Sequence, residues 1–338
     1  MTKRKTPFIL AFVLAASLFA CAVAHSAGSE KYSEPGLFVP RGIRLMVFAP
    51  HPDDETVAAG GLIQRVLRTG GQVRVVFVTN GDGFTDGVRL EVTTRPTLST
   101  DYIAYGIRRQ AEAMRALAEL GLGSRDVLFL GFPDGGIDDL WTGHWSASHP
   151  YQSPYTRLDR PRNAPLHGRL VRYTGADLKT LLVKAIRDFQ PDWVLIPDPR
   201  DVHPDHSMTG VFVLDALESL ERAKSKTILD TEVYTYLVHF PGYPGRKDWV
   251  GKIQTTGVTG CPAGGRCRIP SEWMSLPLSA DETLRKEAAL SAHRTQMETM
   301  SWFLRQFLRP YEIFGKLLPL PALDVPCNRA SLAGEHKG

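Results

Sequence analysis

The feature that most constrains the fold of this 338-residue chain is an alternation of short apolar segments with amphipathic, helix-like ones. Apolar runs typical of buried strands lie at 43–49, 73–79, 127–130, 193–196 and 233–238. Helical patterns lie at 56–67, 107–120, 178–189, 211–223 and 282–308. Alternation at these lengths predicts an α/β fold, with a Rossmann-like, mainly parallel sheet flanked by helices.

A parallel sheet also predicts where the active site lies. Parallel strands joined by right-handed crossovers all end at one edge, where such folds bind their ligands, so we expect the site at the strand carboxyl ends. Three segments rich in glycine, proline and polar residues interrupt the alternation, at 80–103, 136–175 and 240–280. Insertions of this length in a compact domain are often lids or binding loops.

The N-terminus has the three parts of an export signal: a basic start, an apolar run at 8–20 and small residues after it. A helix needs about 20 residues to cross a bilayer, so we predict a cleaved signal peptide at 1–24, with a retained anchor as the alternative. The stretch ending at Cys21 resembles the lipobox of bacterial lipoproteins, although Phe19 is bulky for its position. We predict an exported protein, periplasmic or extracellular, and leave open whether it is a lipoprotein linked through Cys21.

The remaining chain is interpreted as a linker at 25–40, one domain at 41–320 and a tail at 321–338. Three of the 40 lysines and arginines lie in the first five positions, so the chain without its predicted signal peptide has 37 basic and 36 acidic side chains. This balance gives no electrostatic case for binding nucleic acid. No later segment is apolar enough to predict a transmembrane helix in the mature chain, and the sequence does not predict the oligomeric state.

The cysteines suggest one disulfide. Cys261 and Cys267 flank a turn-forming Pro-Ala-Gly-Gly-Arg stretch, which would close a small loop outside the cytosol. A metal site would need more thiols at closer spacing. Cys327 is then left unpaired near the tail.

Two acidic, histidine-containing segments follow predicted strands. His51-Pro-Asp-Asp-Glu comes directly after the first strand, and His203-Pro-Asp-His comes shortly after the fourth. Imidazole nitrogens and carboxylate oxygens are good zinc ligands, and two near ligands with one distant histidine are the usual catalytic set. Asp53 is not needed as a ligand, so it is free to accept a proton from water. The alternative is that these acids only cap the following helix, which is the interpretation we favour for Glu55.

Gly60 and Gly61 lie inside the helix predicted after the first motif. Glycine within a helix costs about 1 kcal/mol relative to alanine, so a pair suggests close approach to a strand or to the site. The alternative is a weak helix that is simply tolerated.

Together the two motifs resemble the PIG-L/LmbE family of zinc-dependent N-deacetylases. Weaker matches follow in the family's order: Thr79-Asn-Gly-Asp82, Arg109-x-x-Glu112, Phe132-Pro-Asp-Gly135, Ala292-His-Arg-Thr-Gln296 and Glu312-x-Phe314. The resemblance covers roughly residues 43–315. Pro50 departs from the small residue usual at its position, and the insertions at 136–175 and 240–280 do not follow the family pattern, so the substrate does not carry over.

The resemblance implies a role for each residue that matches a family motif. It implies zinc ligation by His51, Asp54 and His206. It implies that Asp53 is the general base, that His203 stabilises the oxyanion or protonates the leaving amine, and that Asp205 hydrogen-bonds His203. It implies that Arg109 and Asp134 contact sugar hydroxyls.

The implied function is a zinc-dependent amide hydrolase that removes an N-acyl group, most simply acetyl, from an amino sugar or glycoconjugate by zinc-activated water. Iron(II) is the other metal that this donor set would accept. A non-haem iron oxygenase uses a similar triad but usually a β-helix fold. A non-catalytic carbohydrate-binding protein on this fold is the alternative from another class, but binding alone would not need Asp53 and His203.

The insertion at 136–175 carries aromatic residues that include Trp141, Trp145, Tyr151 and Tyr155. Aromatic faces suit the mixed surface of a sugar ring, so these rings are candidate sugar subsites beyond the reacting residue. The alternative is that they pack the insertion onto the domain.

Overall fold

The computed structural model describes residues 36–162, 170–225, 228, 230–244 and 272–317. The predicted signal peptide, the lipobox, the Cys261–Cys267 disulfide and the tail at 321–338 lie outside the described residues. They remain predictions, as do the domain boundaries.

A seven-stranded sheet forms the centre of the described part of the chain. Its strands are β1 (Arg44–Ala49), β2 (Gln72–Thr79), β3 (Val127–Phe132), β4 (Trp193–Pro197), β5 (Glu232–Tyr236), β6 (Glu272–Pro277) and β7 (Tyr311–Lys316). Their spatial order is β3-β2-β1-β4-β5-β7-β6. The first five strands pair in parallel, and β7 runs antiparallel to both β5 and β6. The predicted α/β fold with a mainly parallel sheet is confirmed.

Helices cover both faces of this sheet. They are α1 (Asp54–Arg68), α2 (Thr85–Glu91), α3 (Ser99–Glu119), α4 (Ile137–Thr142), α5 (Gly175–Phe189), α6 (Pro204–Arg222), α7 (Ala280–Ala292) and α8 (Arg294–Leu304). One hydrophobic core packs α1, α3, α7 and α8 on one face of the sheet. A second core packs α4, α5 and α6 on the other face. Among the residues described, no helix combines the length and the apolar character needed to cross a membrane.

Two predicted helix boundaries shift in ways that matter for the site. The helix predicted at 211–223 begins at Pro204, which suits the first helical position, so His206 lies in the first turn of α6. The segment predicted to be helical at 282–308 is largely helical, but it forms two helices that divide at His293. This break leaves the imidazole Nε2 of His293 3.1 Å from Glu55 Oε1. The sequence pattern does not mark the division.

Strands β6 and β7 were not predicted. β6 lies at the end of the segment interpreted as the insertion 240–280, and β7 follows the last helix. Both are six residues long and pair with each other in an antiparallel ladder. A short strand whose partner is distant in sequence leaves little local pattern.

The chain order of the strands places a crevice beside β1. β1 lies between β2 and β4, so the chain leaves it in one direction and later returns on its other side. Open α/β sheets bind ligands at such a switch point, outside the carboxyl ends of the strands. The loops after β1 and β4 carry the two histidine motifs, and they meet at this crevice.

Candidate metal centre and active site

Three buried side chains form a compact cluster at the crevice: His51, Asp54 and His206. The carboxylate Oδ2 of Asp54 lies 3.3 Å from His51 Nδ1 and 3.3 Å from His206 Nε2. One candidate ligand atom from each of the three side chains lies within 4.8 Å of the other two. The residues predicted as metal ligands therefore lie together, although His206 is more than 150 positions from His51 and Asp54 in the sequence.

The donor atoms of this cluster fit a divalent cation. Both ring nitrogens of His206 are buried, and neither makes a well-formed hydrogen bond among the described residues, although carboxylate oxygens of Asp54 and Asp201 lie 3.3 Å and 3.5 Å away. A buried polar atom without a well-formed hydrogen bond is costly, and a cation beside Nε2 would satisfy it. Two imidazole nitrogens and one carboxylate oxygen are the three-ligand set of a catalytic zinc site.

Further carboxylates surround the two histidines. Asp134 Oδ1 and Asp205 Oδ2 each lie 3.1 Å from His51 Nε2, and Asp201 Oδ2 lies 3.5 Å from His206 Nδ1. Each histidine thus directs one nitrogen at the cluster and the other at a carboxylate. Such outer carboxylates orient metal-ligating histidines and increase their basicity.

Asp205 is hydrogen-bonded to His203 through its backbone, because the Asp205 amide donates to His203 Nδ1 at 3.2 Å. Its carboxylate lies 3.1 Å from His51 Nε2 and accepts hydrogen bonds from the amides of Gly135 (2.7 Å) and Ile137 (3.2 Å). The predicted hydrogen bond between Asp205 and His203 is therefore present, but it uses the amide of Asp205 and not its carboxylate.

The charges of the cluster favour a cation. Burial lowers the pKa of His206, but Asp54 and Asp201 outweigh this and raise it to about 10. Burial would raise the pKa of the Asp54 carboxyl, but His206 and His51 hold it well below its usual range. The carboxylates of Asp54 and Asp201 therefore stabilise positive charge beside His206, which a divalent ion would supply.

Asp53 lies beside the cluster in an unusual conformation, with φ 148° and ψ −29°. Its amide donates to Glu55 Oε2 at 3.0 Å, and its carboxylate accepts from Arg109 Nη2 at 3.2 Å. Burial raises the pKa of Asp53 to about 6, although the Arg109 guanidinium opposes this. A carboxylate with a pKa near neutrality suits a general base.

Glu55 does more than the capping interpretation predicts. It accepts from the Asp53 amide, as a capping residue would, but its Oε1 also lies against His293. The side chain therefore connects the loop that carries Asp53 to the break between α7 and α8.

Arg109 and Asp134 lie at the site, but most of their polar atoms are used by the protein, and the exception is the buried Nε of Arg109, which has no hydrogen-bond partner among the described residues. Arg109 is 4% exposed and also donates to the carbonyls of Pro52 and Gly81. Asp134 Oδ1 faces His51, and its Oδ2 accepts from the Gly83 amide at 2.6 Å. Both residues thus hold Asp53 or His51 in place, and their predicted contacts with sugar hydroxyls stay predictions.

His203 and a further histidine, His239, complete the polar part of the site. The His203 ring lies 4.9 Å from the His51 ring and 5.3 Å from the His239 ring, between centroids. His239 stacks on Phe303 at 5.2 Å, and its amide donates to Asp201 Oδ2 at 2.9 Å. Sequence reasoning missed His239 and Asp201. Their positions just after β5 and β4 were the available signal, since both follow strand carboxyl ends.

A cavity of about 300 Å³ opens onto these residues. Part of its wall is apolar and comes mainly from α1 and α8: Val57, Val238, Met300, Phe303 and Leu304. A larger cavity of about 430 Å³ lies along the edge strand β3 and includes none of the three clustered residues.

The aromatic residues of the insertion 136–175 divide between packing and the cavity. Trp141 meets Phe212 edge-on at 5.1 Å, and Trp145 stacks on the same ring at 6.0 Å, so both tryptophans pack the insertion onto α6. Tyr155 lines the cavity that holds His51. The subsite interpretation is therefore wrong for the tryptophans and remains open for Tyr155.

The fold and the site together define a class. A parallel α/β sheet carries, at its carboxyl edge, a His-Asp-His cluster with an adjacent buried carboxylate and an open cavity. That combination is typical of metal-dependent hydrolases that have a parallel α/β sheet.

Comparison with known proteins identifies the family. Residues 46–217 match the family model for PIG-L, GlcNAc-PI de-N-acetylase. The 1D-myo-inositol 2-acetamido-2-deoxy-alpha-D-glucopyranoside deacetylase of Tsukamurella paurometabola is 28% identical over 75% of this chain and 83% of its own length. The enzyme of the same name from Mycobacterium sp. is 34% identical over 52% of this chain and 50% of its own length. The crystal structure of the A40926 pseudoaglycone deacetylase shares the fold, with a TM-score of 0.53, 17% identity and coverage of 84% of this chain and 100% of that one.

The chain belongs to the PIG-L family of deacetylases. The predicted family is confirmed, and the relatives named above are N-acetyl amino-sugar deacetylases.

Proposed function

We propose that the protein is a metal-dependent hydrolase that removes an N-acyl group, most simply acetyl, from an amino sugar or glycoconjugate. The observation that carries this proposal is the cluster of His51, Asp54 and His206, with the buried carboxylate of Asp53 beside it at the cavity. Membership of a deacetylase family supports the reaction type.

The proposed roles follow from the position of each side chain. A divalent ion held by His51, Asp54 and His206 would supply Lewis acidity and lower the pKa of a bound water. Asp53 accepts a proton from the attacking water, and it then holds the proton that the departing amine requires. Arg109 and Glu55 keep Asp53 in place through the hydrogen bonds to its carboxylate and amide.

His203 is proposed to stabilise the developing oxyanion. Its Nδ1 accepts from the Asp205 amide, so Nε2 carries the proton and is free to donate. Burial and the neighbouring His51 lower the pKa of His203 to about 3, which keeps the ring neutral. A neutral N–H donor suits the oxyanion role, and it leaves Asp53 as the proton donor to the amine.

Zinc is the proposed metal, because two imidazoles and one carboxylate are its usual catalytic ligands. Iron(II) accepts the same donors. Metal analysis of the purified protein should find about one zinc or iron ion per chain. His206→Ala should lose most of it, whereas full occupancy in that variant would remove His206 from the ligand set.

The activity itself is tested with a panel of N-acetylglucosamine-containing glycans. Release of acetate should require metal, stop on chelation and return on zinc addition. Glycan binding without any acetate release would instead support the non-catalytic carbohydrate-binding alternative.

Asp53→Asn separates chemistry from metal binding. The amide preserves the shape of the side chain and leaves all three ligands, but it cannot accept a proton. Metal content should stay near normal while kcat falls by about 10²–10⁴-fold, as expected for a lost general base. Asp86→Asn, at an exposed acid of α2, is the control and should keep full activity. Near-normal turnover in Asp53→Asn would move the base role to another residue.

We also propose that the mature protein is exported, which the basic and apolar pattern of residues 1–24 supports. The test is the intact mass of the protein recovered from the periplasm or medium of a bacterial host. A full-length chain found only in the cytosol would contradict export, and a mass increased by lipid would identify Cys21 as the linked residue.

A further inference from the structure

The insertion 136–175 supplies one aromatic side chain to the wall of the site cavity. Tyr155 is the aromatic residue of that insertion that lines the site cavity, and it is only partly buried. Its phenolic oxygen makes no hydrogen bond to any other described residue.

The ring of Tyr155 is held against the backbone that builds the metal cluster. A Cβ atom at Gly83 would lie 2.9 Å from two carbons of this ring, and one at Gly135 would lie 3.4 Å from it. The same two glycines donate their amides to Asp134 and Asp205, the carboxylates that contact His51. Tyr155 is therefore one layer of side chains away from the cluster.

Hydrogen bonds within the loop fix the backbone at Tyr155. The hydroxyl of Ser153, which is 1% exposed, accepts from the amides of Tyr155 (3.3 Å) and Thr156 (3.2 Å). The ring also packs against Tyr102 of α3, at 5.4 Å between centroids. Its position is thus set on two sides before any ligand enters.

We propose that Tyr155 is the stacking platform for the amino-sugar ring, with its phenolic hydroxyl bonded to a sugar hydroxyl. This deepens the proposed function, on which it rests. An aromatic face covers the C–H face of a pyranose while a polar edge meets its hydroxyls. Because the platform adjoins the cluster, it selects a cyclic N-acyl amine over an acyclic amide with the same reacting group.

The test compares two substrates that carry the same acetamide. One is the methyl glycoside of N-acetylglucosamine, and the other is N-(2-hydroxyethyl)acetamide, which has no ring. Tyr155→Ala should lower the ratio of their kcat/KM values about 10- to 100-fold, the size expected for losing one buried aromatic face, and mostly through KM for the sugar. Tyr155→Phe keeps the ring and should lower the ratio only a few-fold, as for one lost neutral hydrogen bond.

A further variant guards against a general loss of structure. Tyr151→Ala truncates a neighbouring tyrosine of the same insertion, which packs on Gly136 and does not line the cavity, so the ratio should not change.

Equilibrium binding provides a readout that does not depend on turnover. Calorimetry of the methyl glycoside with metal-loaded Asp53→Asn should give a Kd that rises about 10- to 100-fold when Tyr155→Ala is added. If wild type hydrolyses neither amide but Tyr155 still controls sugar affinity, the proposed function fails and the platform stands. If Tyr155→Ala changes neither the ratio nor the Kd, or no sugar binding is detected, the platform is overturned whatever the activity.

Discussion

The backbone of Asp53 has a strained conformation. Its φ of 148° is one that residues with a Cβ atom rarely adopt, and such strain costs about 1–3 kcal/mol. The hydrogen bond to Glu55 and the double contact of Arg109 with Pro52 and Asp53 hold it there. Strain of this kind persists only where the surrounding contacts hold the residue in place, as these do beside the cluster.

Replacing Asp53 by glycine and by alanine should isolate this strain. Both variants lose the carboxylate, but only glycine accepts the positive φ without steric cost. Asp53→Gly should therefore be more stable than Asp53→Ala by about 1 kcal/mol in urea unfolding with chelator present. Equal stabilities would show that the backbone relaxes once the carboxylate is gone.

At the scale of elements, α1 is packed unusually closely by α7 and β7. Glu312 accepts from the amides of Gly61 (2.7 Å) and Leu62 (2.8 Å), and Lys286 donates to the carbonyl of Val57 (2.8 Å). Lys286 and Glu312 also form a buried ion pair at 2.7 Å. The predicted close approach at the glycine pair is confirmed, and its reason is that this ion pair inserts against the middle of the helix.

Gly61→Ala should therefore destabilise the protein, although alanine favours a helix more than glycine does. The new methyl would lie 2.2 Å from a carbon of Leu278 and 3.1 Å from Glu312 Oε2. We expect a loss of about 1–3 kcal/mol in the free energy of unfolding. Gly123→Ala is the control, since its nearest neighbour would be 3.7 Å away, and its stability should change by less than about 0.5 kcal/mol. A stabilised Gly61→Ala protein would show that intrinsic helix propensity outweighs packing at this point.

The start of α7 makes a prediction that depends on pH. Glu282 closes a capping box with Ser279 and accepts hydrogen bonds from Arg65 and Arg68. Burial would raise the pKa of Glu282, but Arg65 and the Ser279 amide outweigh it and lower the pKa to about 2, from an ordinary 4.5. A lowered pKa in the folded state contributes stability above the unfolded pKa, and that contribution is lost as the pH falls.

Glu282→Gln should thus be less stable than wild type by about 1–3 kcal/mol at neutral pH. The difference should shrink between pH 4.5 and 2, measured by urea unfolding across that range. Glu287→Gln changes a half-exposed carboxylate of the same helix, 3.7 Å from Arg305, and should differ little from wild type at any pH. A Glu282→Gln deficit that does not vary with pH would mean that the lost packing is responsible, and not the charge.

At the scale of the whole molecule, the cluster joins two distant parts of the chain. His51 and Asp54 follow β1, whereas His206 lies on α6. A metal bound to all three would link the two sides of the sheet's switch point and would bind only the folded state. Its binding energy would then add to folding stability.

Chelation should therefore lower the Tm, and zinc should restore it in a concentration-dependent way. At a free metal concentration of 100 times Kd, linkage predicts about 2.7 kcal/mol of stabilisation. Differential scanning fluorimetry with and without chelator measures the shift. His149→Ala, at an exposed histidine, should keep the whole shift, and His206→Ala should lose most of it. An undiminished shift in His206→Ala would place the stabilising metal elsewhere.

Much of this molecule is determined by local patterns in the sequence. Apolar periodicity identified β1 to β5 and the main helices, because each element must bury one face regardless of its neighbours. The rule that parallel strands end at one edge then brought His51 and His203 to one crevice. Residue types that can bind a metal or transfer a proton can also be recognised in the sequence, because this chemistry belongs to the side chain itself.

Tertiary structure alone decided the contacts within the site. It brings the Asp205 carboxylate to His51, adds Asp201 and His239, and places Tyr155 but not the tryptophans in the cavity wall. It also pairs β6 with β7 and breaks the last helical pattern at His293. The physical reason is that a hydrogen bond or a ring contact depends on ångström-scale distances between segments far apart in sequence. Such distances follow from how loops cross and cores pack, which no local period records.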